Sequence, residues 1–522
     1  MTSFFNRIFI IIPLSVAVAL GIVYIAGGWG FLFPGYAPKH FLLPELHEHI
    51  VYCIVVIAVF FCLSVYFSFF KFNNNYDNGI VISRKKHLLN MTILLFVFAV
   101  IVRGLLVYIF RNNLTPFFDF QSTWELSHDK FIGNIEYYTL FPAYLNYSVI
   151  QRILISAFGD SYKYIVFFNV ALCGVVSVSI YLISQLIIDD DGISLLAAIL
   201  YTIMPSGVFY TLIGGPDYLA IALNTLGLLI ITISFKTSGM GRYIEGVTGG
   251  VLLGMGGSYK PFAVIILIAV AMSSVARVIY AQDKKTLNKH GIITVLVLTA
   301  VFIGTVYAGY EAAGTAIIRQ TEKVYNVEIH SSSATPHFLL VGLNTQGEGQ
   351  IHKGDLAREY YQQYLATGDF ESSKKYAFEL LKKDWRENPD AIPKLFIKKL
   401  VWAWQDDVIP SLYFKKSIRG LSGKQLNNLY IRLCHYGPGI SQVYYLILMI
   451  LAVAGSIGYQ KKHKTNADLD LIELIIFGFF CLMLISEAQS RYKSLIMPYI
   501  CILAGIGARE IHRLCKGEKP NE

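Results

Sequence analysis

Apolar runs about as long as a bilayer crossing recur along most of this chain, and they limit what it can fold into. An α-helix needs roughly 20 apolar residues to span the hydrocarbon layer. Runs of that kind lie near 8–33, 50–70, 88–110, 163–187, 193–213, 216–235, 244–258, 261–280, 290–311, 440–459, 471–486 and 492–509. They predict an all-α polytopic membrane protein with about 12 transmembrane helices. The run 244–258 is the shortest, and reads as a half-length helix joined to the next at Tyr259-Lys260-Pro261. Composition agrees: with 55% hydrophobic and 15% charged residues and a mean hydropathy of +0.52, a soluble domain would have no way to hide the apolar surface. The first run is too long for the apolar part of a signal peptide and lacks a small-residue cleavage site, so it reads as a helix.

The net charge of +9 is distributed as a membrane topology signal rather than as a nucleic-acid surface. Arg84, Lys85, Lys86, Lys236, Arg242, Lys284, Lys285, Lys461, Lys462, Arg509 and Arg513 fall in short loops or ends on one side. The opposite short loops hold little beyond Lys39, Lys260 and Arg491. The positive-inside rule then places both termini in the cytoplasm. Asp189-Asp190-Asp191 falls on the inner side and reads as a solvated turn before Gly192 rather than as a metal motif. Neither CxxC nor a His/Cys ligand spacing occurs, and no dense carboxylate cluster stands out. No cofactor is expected, with a divalent metal left open.

Two segments interrupt the helices on the outer side and divide the chain. Region 1–310 is a helical membrane region whose outer loop, 111–162, carries interfacial helices. Region 311–439 is a large extracytoplasmic segment, and 440–522 holds the last membrane helices and a basic tail. In the first outer loop, Tyr137-Tyr138-Thr139-Leu140-Phe141-Pro142-Ala143-Tyr144 and then 149–158 are apolar and aromatic, but too interrupted to span. They read as helices at the interface with tyrosines at headgroup level. The second segment contains the turn-rich Gly342-Leu343-Asn344-Thr345-Gln346-Gly347-Glu348-Gly349 and helical stretches over 355–366, 371–386 and 392–404. The last is amphipathic and ends on Trp402 and Trp404, read as interfacial anchors.

With the helices drawn this way, several ionisable residues land on the outer face: Asp119, Glu125 and Asp129, then Asp217, Lys260, Glu487, Arg491 and Lys493. Charge near hydrocarbon is costly and usually pairs or lines a functional cavity. Each has a plainer reading. Asp119 could cap the helix that follows it, Asp217 could be an N-terminal helix charge, and Lys260 could snorkel. Glu125 and Asp129 could be solvated loop acids. Arg491, a planar fork in a tight turn with Lys493, suits phosphate oxygens best.

The order Asp119, Phe141-Pro142 with Tyr144, Phe158-Gly159-Asp160-Ser161, Asn169, Pro205, Lys260-Pro261, Gly342-Leu343-Asn344, Gly349, Asp355 and Arg491-Tyr492 before Pro498 resembles the C-type (GT-C) membrane glycosyltransferases. The likeness is to the bacterial relatives of the protein O-mannosyltransferases and of the lipid A aminoarabinose transferase, over roughly 88–510. It implies a GT-C-like fold and transfer of a monosaccharide from a polyprenyl-phosphate donor to a glycan, lipid or protein acceptor on the extracytoplasmic face of a bacterial inner membrane. By the same resemblance Asp119 matches the base that deprotonates the acceptor. Many members carry Asp-Glu there, but Phe120 follows here, which leaves Glu125 or Asp129 as the second acid. Arg491, Lys260 and Lys493 are the expected phosphate ligands, and Asp217, Glu487 and Tyr144 further candidates at the site. Membrane lipids, but no nucleic acid, are expected partners. Two other classes compete: an O-antigen-type polymerase or ligase, and a multi-helix transporter or lipid flippase. The second is weakened by the absence of long internal repeats.

Overall fold

A computed structural model of the chain describes residues 2–25, 81–130, 135–283, 289–330, 334–347, 349, 356–462 and 466–516. The described residues are helices and their connections, with one isolated antiparallel bridge, Leu114 to Ile418. In chain order the first ten helices are α1 Thr2–Ile25, α2 Val81–Phe110, α3 Phe118–Leu126, α4 Ile135–Thr139, α5 Pro142–Phe158, α6 Tyr162–Ile188, α7 Asp191–Ile203, α8 Pro205–Thr211, α9 Asp217–Ser234 and α10 Met240–Tyr259. They are followed by α11 Ala263–Asp283, α12 Lys289–Tyr325, α13 Ala334–Leu343, α14 Leu356–Thr367, α15 Phe370–Glu387, α16 Ala391–Trp404, α17 Ile409–Ser417, α18 Lys424–Lys462, α19 Ala467–Ile485 and α20 Met497–Cys515, with a 3₁₀ turn at Ser490–Leu495.

The centre is a bundle in which α18 packs along α20, α20 on α7, and α7 on α6, which also meets α2 and α9. On one flank α9, α10 and α12 stack in order, and α11 lies against α19. Among the described residues six helices are long and apolar enough to cross a membrane, or seven with α7 and α8 taken as one bent span. The protein is therefore a multi-pass helical membrane protein, with fewer spans shown than the twelve expected. The expected helix at 50–70 lies outside the described residues, as does the end of the first run beyond 25.

Local chemistry accounts for the other departures. The run 193–213 is broken by 54° between α7 and α8, because Pro205 lacks an N–H and holds Met204 out of the helical region at φ −53, ψ 115. The half-length helix expected at 244–258 is a single helix of 20 residues. Its glycines replace apolar bulk with close approach: a Cβ at Gly254 would collide with the Tyr310 carbonyl of α12. Helices α12 (37 residues) and α18 (39 residues) run well past their apolar stretches, so the boundaries at 310 and 439 fall inside helices. The three stretches expected in the second segment are found as α14, α15 and α16. Trp404, read from sequence as an interfacial anchor, is instead fully buried in the main core.

Candidate functional site

The site begins with the backbone just before α3. Phe117 is extended, and its ring packs on Phe118, Phe120 and Tyr413 at 5.3–5.5 Å. Phe118 then takes a left-handed φ of 47°, a conformation that costs about 1–3 kcal/mol in a non-glycine residue and clusters at functional sites. The next residue is Asp119, in the first turn of α3. Phe117, not Asp119, occupies the N-cap, and there is no side-chain cap bond. The capping explanation for Asp119 therefore fails, and its carboxylate is 48% exposed.

This loop is stapled to the second segment through main-chain groups. Thr115 N donates to Ser417 O and Arg419 N to Asn113 O, both at 2.9 Å. The Asn113 amide adds bonds to the carbonyls of Arg419 (3.0 Å) and Gly420 (2.7 Å). Residues some 300 positions apart thereby hold one frame.

Within that frame Arg491 Nη2 lies 3.6 Å from Asp119 Oδ2, and the arginine side chain is only 11% exposed. Its guanidinium sits 5.6 Å from the Tyr413 ring centre and 5.2 Å from that of Tyr492. Burial, then the nearby Asp119 charge, pushes the Tyr144 hydroxyl well above the ordinary phenol range. Tyr492 donates to Glu487 Oε2 at 2.7 Å, and Gln489 donates to the other carboxylate oxygen. Lys260 Nζ, 5.5 Å from the Tyr492 ring centre, pairs at 3.4 Å with the buried Asp217. Asp217 is in the first turn of α9 after Pro216, as the plainer reading has it, and it also holds this lysine. Six residues singled out from the sequence thus converge: Asp119, Arg491, Tyr144, Glu487, Lys260 and Asp217.

Three do not join that chain of contacts. Glu125 accepts from Gln121 at 2.8 Å, and Asp129 pairs with Arg152. Lys493 is fully buried and donates to the Asp406 carbonyl. With its charge turned into the protein, Lys493 supports the turn rather than presenting itself beside Asp119.

That turn rests on residues the sequence reading passed over. Lys399 of α16 is buried and donates to Gly342 O (2.5 Å) and Ser486 O (2.7 Å). Burial pushes its ammonium down to about 7, against the pull of Glu487. Gly342 sits so close to the Ser486 backbone that a side chain there would collide with it. Ala488 N donates to Gly349 O at 3.0 Å. On the inner side of the turn, Ser490 donates to Asp406 Oδ1 at 3.1 Å and Ser206 to Asp407. Burial raises both acids, Asp407 to about 6, while Lys493 draws them back. Asp407 and Arg491 both line a small cavity, together with Ser206, Tyr210, Tyr218 and Ser494 among others. The sequence signal for this layer was the adjacent Asp406 and Asp407 after an amphipathic helix that carries Lys398 and Lys399 among its apolar residues.

Chemically, the arrangement offers a half-exposed carboxylate able to take a proton and a buried guanidinium able to exchange that carboxylate for another oxyanion. Among the described residues no three His, Cys, Asp or Glu side chains are grouped to hold a metal ion. No protein-family model matches this chain, and no curated protein matches it.

Proposed function

We propose that this protein is a membrane glycosyltransferase of the GT-C type, moving a monosaccharide from a polyprenyl-phosphate donor to an acceptor on the extracytoplasmic face, with both termini in the cytoplasm. The observation that carries the reading is the Asp119–Arg491 pair: an accessible base facing a buried cation, at one end of a membrane helix bundle. The donor phosphate takes the Arg491 fork, with Lys260 adding positive charge from beside Tyr492. Releasing Asp119 from the arginine frees its carboxylate to accept the proton of an acceptor hydroxyl. That oxygen attacks the anomeric carbon as the bond to the phosphate oxygen breaks, and the electron pair leaves with the polyprenyl phosphate. The developing phosphate charge is met by the guanidinium, whose burial strengthens the interaction relative to water.

The test is the sugar composition of surface glycans and lipids in a deletion strain complemented at equal membrane levels. Wild type is expected to restore one missing sugar. Asp119→Asn is expected to lower transfer by about 10²–10⁴-fold, the usual contribution of a positioned base. Full restoration by Asp119→Asn would remove Asp119 as the base, and an unchanged composition in the deletion strain would overturn the transferase reading.

A further inference from the structure

Beside Asp119 stands a corner of two aromatic rings that the reaction as written does not use. Tyr137, in α4 of the first outer loop, and Tyr361, in α14 of the second segment, meet with ring centres 5.0 Å apart and planes at 88°. Tyr137 is 37% exposed although its ring is held by Phe141 at 5.1 Å and Tyr138 at 5.2 Å. Phe141 is in turn locked against His337 at 4.9 Å and Phe338 at 6.3 Å. The corner is therefore rigid at its back and open in front. A tyrosine placed only to fill the core would be covered, and an interfacial anchor needs no partner from a segment more than 200 residues away in sequence.

Each ring lies within electrostatic reach of a carboxylate, and Glu136 directly precedes Tyr137 in α4. After burial, the Asp119 charge is the main influence raising the Tyr137 hydroxyl, and the Glu136 charge plays that part for Tyr361. Partly exposed aromatic rings near carboxylates match the chemistry of a sugar ring. Its axial C–H bonds meet the negative π face, and its hydroxyls donate to carboxylate oxygens. A hydrocarbon chain would make no use of these acids, and a phosphate at the rings would meet Glu136 with no cation beside it comparable to Arg491.

We infer that Tyr137 and Tyr361, near Asp119 and Glu136, form an acceptor subsite that stacks a sugar ring, so that the acceptor is a glycan. The inference rests on the proposed transferase reading and fixes its acceptor class. One ring is the floor and the other the wall, and the acceptor hydroxyl is presented to Asp119 from the side opposite the donor phosphate.

Saturation-transfer NMR on the full-length protein in detergent micelles tests this, with mannotriose, maltotriose and chitotriose as glycan probes and a Ser/Thr-containing peptide as the alternative. Binding of farnesyl phosphate is measured on the same samples as a probe of the donor side. At least one trisaccharide is expected to receive saturation at the ring protons of one sugar. The Tyr137→Leu/Tyr361→Leu double variant is expected to bind it about tenfold more weakly, in line with the loss of a stacked ring. Tyr137→Phe, which keeps the ring, is expected to bind as wild type does and guards against a folding artefact. Farnesyl phosphate is expected to bind all of these equally and to be lost in Arg491→Met. Saturation of the peptide alone, of no trisaccharide, or equally in the Leu double variant overturns the glycan subsite. If farnesyl phosphate still binds through Arg491 in that case, the donor reading survives the loss of the inference. If farnesyl phosphate fails to bind wild type, the transferase reading itself falls.

Discussion

At one end of the bundle Asp190 N-caps α7 through Ile193 N (3.0 Å) and pairs with Arg509. Nearby, Asp191 accepts from Gln185 and Tyr181 and faces His87 at 3.4 Å. Asp468, 13% exposed, sits between Arg277 and Lys236, and Asp470 accepts from Tyr280 at 2.6 Å. At the other end Asp119 has a cation at 3.6 Å and stands half open to solvent. Both ends use Asp, Arg and Lys beside apolar helices. The first surrounds its acids with donors, which fixes helix ends and repays the cost of burying charge. The second leaves a carboxylate with spare accepting capacity opposite a guanidinium able to change partners. Saturated acids hold the bundle together, whereas Asp119 keeps accepting capacity, as the proposed role of base requires.

Substitutions at the two ends can break this contrast. After Asp119→Asn, the largest effect is expected from Arg491→Lys, which keeps the charge but loses the planar fork. Transfer should fall about 10²–10³-fold, as when one donor to a developing oxyanion is removed, with the thermal midpoint in detergent unchanged. A matching loss of stability would make Arg491 structural and erase the difference between the ends. Next is Asp468→Asn, which leaves Arg277 and Lys236 without their shared carboxylate. We expect a stability loss of about 1–3 kcal/mol and activity within about twofold of wild type, read from unfolding curves and transfer assays on one preparation. Abolished transfer at normal stability would contradict the division.

The smallest effect concerns the buried layer between them. Asp407 has its proton affinity raised in the fold, from an ordinary 3.8 to about 6. The folded form thus binds the proton more tightly. The stability this gives is complete below about pH 3.8 and is lost as pH rises through about 6. Asp407→Asn, neutral throughout, should flatten that part of the stability–pH curve by on the order of 1 kcal/mol. An identical slope in wild type and variant between pH 4 and 6 would show that Asp407 is already ionised across that window.

What could be read from the sequence follows the same physics. Apolar runs mark helices because the bilayer demands length and hydrophobicity, so α2, α6, α9 and α11 lie close to where they were expected. The weak run at 244–258 misled because glycine packing substitutes for hydropathy, and 193–213 because a single proline redirects a span. Asp119, Arg491, Lys260 and Asp217 stood out because charges near hydrocarbon are rare. Lys399 did not, because it lies in an amphipathic helix where a lysine looks ordinary, and neither did Asp406 and Asp407, which follow that helix. Only tertiary contacts show them to be buried. The pairing of Tyr137 with Tyr361 was likewise invisible, since it joins two segments that no local pattern relates.

The staple between residues 113–115 and 417–420 carries a consequence for how such a protein tolerates mutational drift. Its ladder bonds run from Thr115 N to Ser417 O and from Arg419 N to Asn113 O, groups that every residue type except proline can supply in full. The side chains at Thr115 and Arg419 can therefore change without removing these two bonds, whereas Asn113, whose amide adds two more, is tied to its identity. Proline at 115 or 419 is the exception, since it would delete one of these two donors outright.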